Sequence, residues 1–206
     1  MGKINFKSTV LGILCLMLTA LPLLSQDDPN AKAEQLRTDA LKMTVYLSSE
    51  RFPQLPPEVR EYLSANHYLI PQVGKGLEGR GTGNVIQGQF YEPGKTDWAV
   101  LASKDQVSRI LVFREGKGKP DELAEFPDLD YMSYPRNDDQ AEDLRFSREI
   151  SAVEGETIAG YYKAFGGPQP PAVLDHQGID NCFIDECVSR IWYFYNGEWN
   201  WYQGRD

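Results

Sequence analysis

The sequence predicts an α+β fold in which two N-terminal helices pack on a mainly antiparallel β-sheet built from a meander and hairpins. Apolar residues recur every three or four positions before residue 73, as on one face of a helix, and the period changes to two after residue 84. Near the C-terminus, Asn196-Gly197 separates two runs of β-branched and aromatic residues, which is the strongest short signal for a hairpin.

The composition is that of an ordinary globular protein, because 41% of the 206 residues are hydrophobic and 25% are charged. The formal net charge is −9 at pH 7, and the sequence contains no basic block. Binding to the phosphates of nucleic acid and adsorption to an anionic membrane both need clustered Lys and Arg side chains. We therefore expect neither partner.

Residues 1–25 have the order of a secretory signal peptide. Lys3 and Lys7 form a basic start, an apolar run of about fifteen residues follows, and Ser25 is a small residue at a cleavage position. The run is shorter than the roughly twenty residues of a membrane-spanning helix. We expect cleavage, export to the periplasm or the extracellular medium, and no stable membrane span in the mature chain.

The mature chain is predicted to be a single α+β domain over residues 26–206, with a helical part over residues 26–73 and a β-rich part over residues 84–206. Asp28 can cap a first helix over residues 28–46, and Pro29 suits its first turn. A second, shorter helix is expected to about residue 67. Five glycines within residues 74–83 indicate a flexible link between the two parts.

The β-rich part divides into three predicted groups of strands. The first is an antiparallel meander, the second is a hairpin around Glu154-Gly155-Glu156, and the third is the C-terminal hairpin. Their expected ranges are residues 85–90, 97–103 and 106–114, then 146–153 and 157–162, then 188–195 and 198–202.

Asp175, His176 and Asp180 form the densest group of reactive side chains, and an Asp beside a His can take part in acid–base catalysis. Against this, neighbouring residues seldom face each other, and the sequence has no Gly-x-Ser-x-Gly elbow for a serine nucleophile. The simpler interpretation is that Asp175, Gly178 and Asp180 shape a turn, with His176 hydrogen-bonded locally. A hydrolase centred on Asp175, His176 and Asp180 is the enzymatic alternative.

Two cysteines, Cys182 and Cys187, remain after removal of residues 1–25, and an even number permits one disulfide in an oxidising compartment. The bridge requires a turn between them, because in one extended strand their side chains point to opposite faces. Together with His67 and His176, the cysteines lack the usual spacing of zinc ligands. We expect no metal of this kind and no cofactor.

The segment GQFYEPGKTDWAV, residues 88–100, resembles the hairpin of FG-GAP/VCBS repeats. In that family the loop carries several Asp residues that bind calcium, an ion that takes about six to eight oxygen ligands. Here Asp97 stands where an Asp is expected and Glu92 lies nearby, while neutral residues replace the other carboxylates. The resemblance implies a shared hairpin shape, and a calcium-stabilised module through Glu92, Asp97 or the acidic run of residues 137–143 is a further alternative.

Three segments resemble a family of uncharacterised secreted bacterial proteins. They are a strand pair around KTDWAVL at residues 95–101, a DHxGI turn at residues 175–179, and a GKW-type hairpin at residues 193–199, in which Glu198 replaces the usual Lys. The resemblance covers about residues 84–206. It implies export and a β-rich domain, and it assigns no catalytic residue.

The aromatic residues of the C-terminal hairpin divide between its two faces. One face is expected to be core, and the other would expose Tyr and Trp side chains, which are favoured at binding surfaces. We therefore predict a non-enzymatic domain that binds a protein or an envelope component. The predicted contact residues are Trp192, Trp199, Trp201 and Tyr202.

Overall fold

The computed structural model describes residues 28–73, 84–133, 145–165, 174–184 and 188–204. Its helices are α1 (Pro29–Met43), α2 (Pro57–Ala65) and α3 (Gly155–Phe165). Its strands are β1 (Tyr46–Leu47), β2 (Ile70–Pro71), β3 (Val85–Gly88), β4 (Asp97–Lys104), β5 (Val107–Phe113), β6 (Asp121–Pro127), β7 (Met132–Ser133), β8 (Arg145–Phe146), β9 (Arg148–Val153), β10 (Gly178–Phe183), β11 (Val188–Tyr195) and β12 (Glu198–Gln203). The predicted α+β class is confirmed.

Two four-stranded antiparallel sheets dominate the structure. The first sheet has the order β3-β4-β5-β6, and the second has the order β12-β11-β10-β9. Two short strand pairs, β1–β2 and β7–β8, accompany them. The prediction of a mainly antiparallel arrangement is therefore correct, but the strands form two large sheets rather than one.

The meander and the C-terminal hairpin lie where the sequence predicts them. Asn196 and Gly197 have φ angles of 54° and 85°, so both turn residues adopt the left-handed conformation that a two-residue hairpin requires. Asp105 and Gln106 do the same between β4 and β5, with φ angles of 53° and 61°. The sequence reasoning missed β6, because its charged residues hide the alternation that marks a strand.

The prediction of a strand over residues 157–162 is wrong, because this segment belongs to α3. Its β-branched and aromatic residues favour a strand by composition, yet the helix buries Ile158 against Ile191 and Tyr193 of the second sheet. Tertiary packing outweighs such weak local preferences. The turn expected through Asp180 is also wrong, because Asp180 lies inside β10.

Three buried clusters connect the layers. The largest joins the two sheets and includes Leu101 and Ile110 from the first sheet with Ile150 and Ile179 from the second. Ala40 of α1 also belongs to it. A second cluster contains residues of α2 and of β4 and β5, and a third lies between α3 and the second sheet.

Arg148 is fully buried in β9 and joins the two sheets. Its Nε donates to Asn181 Oδ1 at 2.8 Å, Nη1 to Ser108 Oγ at 2.8 Å, and Nη2 to the carbonyl oxygen of Ala124. Its guanidinium carbon lies 4.7 Å from the ring centroid of Tyr131. Within the described residues no carboxylate forms an ion pair with it, and burial lowers the pKa of Arg148 to about 10.

Several predicted features lie outside the described residues: the signal peptide of residues 1–25, the glycine-rich link of residues 74–83, the acidic run of residues 137–143, and Cys187. Among the described helices, none is long and apolar enough to cross a membrane.

We expect Arg148→Met to lower the free energy of unfolding by at least about 3 kcal/mol, because it leaves buried oxygens of Ser108, Ala124 and Asn181 without their donor. Urea unfolding followed by circular dichroism measures the change. The matched control is Lys42→Met, which removes an exposed ion pair with Asp39 and should change the free energy of unfolding far less. Equal stability of both variants would contradict a structural role for Arg148.

Candidate functional site

The register of the C-terminal hairpin decides which aromatic side chains share a face. Trp192 pairs with Trp201 and Phe194 pairs with Trp199, so these four side chains lie on the side of the first sheet. Tyr202 pairs with Ile191 and therefore lies on the other side, which α3 covers. The second sheet thus has a packed element on each face.

Tyr202 belongs to the core and is only 2% exposed. Its hydroxyl donates to the carbonyl oxygen of Ile158 at 3.2 Å, and burial raises the pKa of Tyr202. A partner in solution cannot reach this side chain in the folded chain. Of the four predicted contact residues, Tyr202 is therefore the one that the structure places in the interior.

Trp199 connects the hairpin to the first sheet. Its Nε1 donates to Asp121 Oδ2 at 3.0 Å, and the hydroxyl of Tyr91 donates to the same oxygen at 2.8 Å. The ring of Tyr91 lies 4.9 Å from that of Phe194 and 5.3 Å from that of Trp199. Arg114 covers Tyr91, with its guanidinium carbon 4.1 Å from the ring centroid. Burial, followed by the hydrogen bond to Asp121, raises the pKa of Tyr91.

Trp201 remains 43% exposed at the rim of the second sheet, and Val188 is 40% exposed at the start of β11. The guanidinium carbon of Arg190 lies 4.8 Å from the Trp201 ring centroid, and the Trp192 ring lies 6.3 Å from it. Val188, Arg190 and Trp192 alternate on β11 and share the face that carries Trp201. We call these four residues the Trp201 patch.

His176 joins the segment before β10 to the hairpin. Its Nδ1 lies 2.9 Å from Asp175 Oδ1, and its Nε2 lies 2.9 Å from the carbonyl oxygen of Phe194. The neighbours Asp175 and His176 thus do face each other, contrary to expectation. The predicted local hydrogen bonding of His176 is present.

Both ring nitrogens of His176 face oxygen acceptors, so neither is open toward solvent in this arrangement. The His176 side chain is 8% exposed, whereas that of Asp175 is 75% exposed. The hydrogen bond from His176 is the main reason that the pKa of Asp175 lies below its usual range. Asp175 and His176 can hold the segment before β10 against the hairpin. To act as a general base through Nε2, His176 would first have to move away from the carbonyl oxygen of Phe194.

A cavity of about 320 Å³ lies beside this pair. It is lined by Gln89, Glu154, Gly155, Glu156, Leu174, Asp175, His176 and Gln177. Gln177 closes one wall, because its Nε2 donates to Glu154 Oε1 at 2.6 Å and its Oε1 accepts from the backbone N–H of Gln89 at 2.9 Å. Asp180 is not among the lining residues and is 6% exposed in β10.

The carboxylate of Asp97 is buried and organises its own hairpin. Asp97 Oδ2 accepts from the backbone N–H groups of Phe90 and Tyr91, and Oδ1 accepts from that of Glu115, at 2.8 to 3.1 Å. Glu92 is exposed. Within the described ranges, no group of three or more His, Cys, Asp or Glu side chains is arranged to hold a metal ion.

Cys182 lies in β10, where it pairs with Ser189 of β11. Phe183, the next residue of β10, pairs with Val188 of β11. The structure shows no disulfide at Cys182, and Cys187 lies outside the described residues.

Comparison with protein-family models, with curated proteins and with solved structures finds no match to this chain in any of the three.

We expect His176→Ala to raise the pKa of Asp175 toward its usual value of 3.8, because the hydrogen bond that lowers it is lost. Carboxyl chemical shifts followed by NMR during an acid titration give this pKa directly. Since the folded-state pKa is lowered, the contact stabilises the fold above about pH 4, and this stabilisation is lost as the pH falls through the folded-state value.

Asp39 is the internal control for this titration. Gln35 and Lys42 lower the pKa of Asp39, and neither lies near His176 in the sequence or in the described contacts. Its pKa should stay the same in the variant. An unchanged Asp175 pKa in His176→Ala would show that the two side chains do not bond in solution.

Proposed function

We propose that the protein is an exported, non-enzymatic domain that binds a protein or an envelope component through the Trp201 patch. The observation that carries the proposal is the 43% exposure of Trp201 on an otherwise packed sheet, with Arg190 stacked against its ring. Trp and Arg are among the residues that contribute most to binding energy at protein interfaces. Nearby Val188 adds exposed apolar area to the patch.

A buried hydrogen-bond donor of Trp192 also supports the proposal. Its indole Nε1 is buried and has no hydrogen-bond partner within the described part of the chain. A buried donor without an acceptor costs free energy. A binding partner that brings an acceptor oxygen to this donor would gain a hydrogen bond there.

A hydrolase centred on Asp175, His176 and Asp180 receives less support. Such an enzyme needs a nitrogen of His176 that is available for proton transfer, and both nitrogens face acceptors. It also needs Asp180 close to substrate, and Asp180 does not line the cavity beside His176.

The proposal includes cleavage of residues 1–25, membership of the secreted bacterial family that the sequence resembles, and packing of both N-terminal helices on the sheets. Val59 and Leu63 of α2 support the last point, because they share a buried cluster with Val100 and Leu111. The hydrogen bonds of Asp97 support a hairpin of the FG-GAP/VCBS shape that needs no calcium.

We expect Trp201→Ala to weaken binding about tenfold or more without unfolding the protein, because the side chain is exposed and belongs to the patch. The purified protein serves as bait in an extract of its host's envelope and medium. Each captured component is then purified and its affinity for the native protein and for the variant is measured by biolayer interferometry.

Leu69→Ala is the matched control, because Leu69 is 41% exposed and lies away from the hairpin. It should bind like the native protein. Thermal unfolding shows that both variants are folded. Equal affinity of Trp201→Ala and the native protein, or an empty capture from a folded bait, would contradict the proposal.

A further inference from the structure

The strand β12 is the outer strand of the second sheet, and it pairs only with β11 among the described strands. The backbone N–H of Gly204 donates to the carbonyl oxygen of Ser189 at 2.8 Å. This bond shows which residues of β12 direct their backbone N–H and C=O groups toward β11. Every second residue from Gly204 backward directs its backbone groups to β11. Trp199 and Trp201 therefore direct theirs away from the sheet.

The outward backbone groups of Trp199 and Trp201 are unpaired. Within the part of the chain that the structure describes, neither residue has a hydrogen bond through its backbone N–H or C=O. A row of such groups on an outer strand is a template on which another strand can add.

The outer strand β6 of the first sheet is protected against such pairing. Asp121 and Glu122 place two carboxylates at the start of β6, and Pro127 ends it without an N–H group. Between them the register shifts around Ala124, which has a φ of 53°, so β6 carries a bulge. Charges, proline and bulges are the usual means by which an edge avoids another strand.

The edge of β9 is also covered. The side chain of Asn84, just before β3, donates to the carbonyl oxygen of Arg148 at 3.2 Å and accepts from the N–H of Ile150 at 3.2 Å. Two outward backbone groups of β9, the C=O of Arg148 and the N–H of Ile150, are thus bonded within the chain. In contrast, β12 has the sequence EWNWYQ, with a regular register, no proline, and one charge at its first residue.

We propose that β12 pairs antiparallel with β12 of a second copy of this chain, around a two-fold axis at Trp201. In this register the N–H of Trp201 in each copy donates to the C=O of Trp201 in the other. Trp199 then lies opposite Gln203 of the second copy. The two sheets join into one continuous eight-stranded sheet across the axis.

Side-chain chemistry favours a second copy over an unrelated strand. The two Trp201 rings become cross-strand neighbours on one face, and aromatic pairs in this position stabilise a sheet. Glu198, the one charge of the strand, lies opposite Gly204 of the second copy, so no like charges meet. The pairing also joins two Trp201 patches into one surface. This inference goes beyond the proposed function, and the dimer forms without the protein or envelope component proposed to bind the patch.

The test is the molar mass of the purified protein over a range of concentrations, measured by analytical ultracentrifugation with a thiol reductant to exclude disulfide-linked dimers. We expect the native mass to rise toward twice that of the chain. Trp201→Lys and Trp201→Glu should each stay monomeric, because like charges would lie directly opposite each other. An equimolar mixture of the two variants should dimerise again, because opposite charges then meet.

Leu69→Lys is the control, because it places a charge on an exposed side chain away from β12, and it should dimerise like the native protein. Circular dichroism verifies that every variant is folded. A native protein that stays monomeric, single variants that dimerise like it, or a mixture that fails to recover the dimer would each overturn the proposal. None of these results involves the partner of the Trp201 patch, so this outcome is independent of the binding test.

Discussion

The burial of Arg148 between the two sheets is the constraint on which the rest of the structure depends. A buried guanidinium needs acceptors for its N–H groups, and Ser108 on β5, Ala124 on β6 and Asn181 on β10 supply them. Its charge is offset by these acceptor oxygens, by the ring of Tyr131 and, without a direct ion pair among the described residues, by the carboxylate of Asp128. Removing a buried charge's partners is costly, so these strands must stay in their present register.

The hydrogen bonds of Arg148 explain the bulge in β6. Ala124 adopts a positive φ, which is unfavourable for a residue with a Cβ, and its carbonyl oxygen accepts from Nη2 of Arg148. With the sheets held in this way, the hairpin meets β6 at Asp121, where Trp199 and Tyr91 share one carboxylate oxygen. The position of the candidate site therefore follows from a hydrogen-bond network in the core.

Local signals in the sequence predict the elements that depend on local chemistry. Asp28 caps α1 through the N–H of Asn30, and Asn196-Gly197 forms the hairpin turn, because both effects act within a few residues. Arg148 could not be predicted to be buried, because its acceptors lie 24 to 40 residues away in the sequence.

Contacts between residues far apart in the sequence also limit what the sequence can predict about the candidate site. The pattern of β12 shows that Trp201 and Tyr202 lie on opposite faces, but it does not show which face is covered. That depends on α3, whose residues have the composition of a strand, and on Asp121, which lies in the strand that the pattern hides. From the strand pattern alone, Tyr202 is as good a contact residue as Trp201.

The hairpin is held on three sides, and this determines how Trp201 can act. Tyr202 bonds to α3, Trp199 bonds to the first sheet, and Nε2 of His176 lies 2.9 Å from the carbonyl oxygen of Phe194. A strand fixed by these contacts loses little further conformational freedom when a partner binds, so less of the interaction energy is spent on ordering. The same rigidity keeps the outward groups of Trp201 in an extended strand, which is the conformation that both a ligand and a second strand would require.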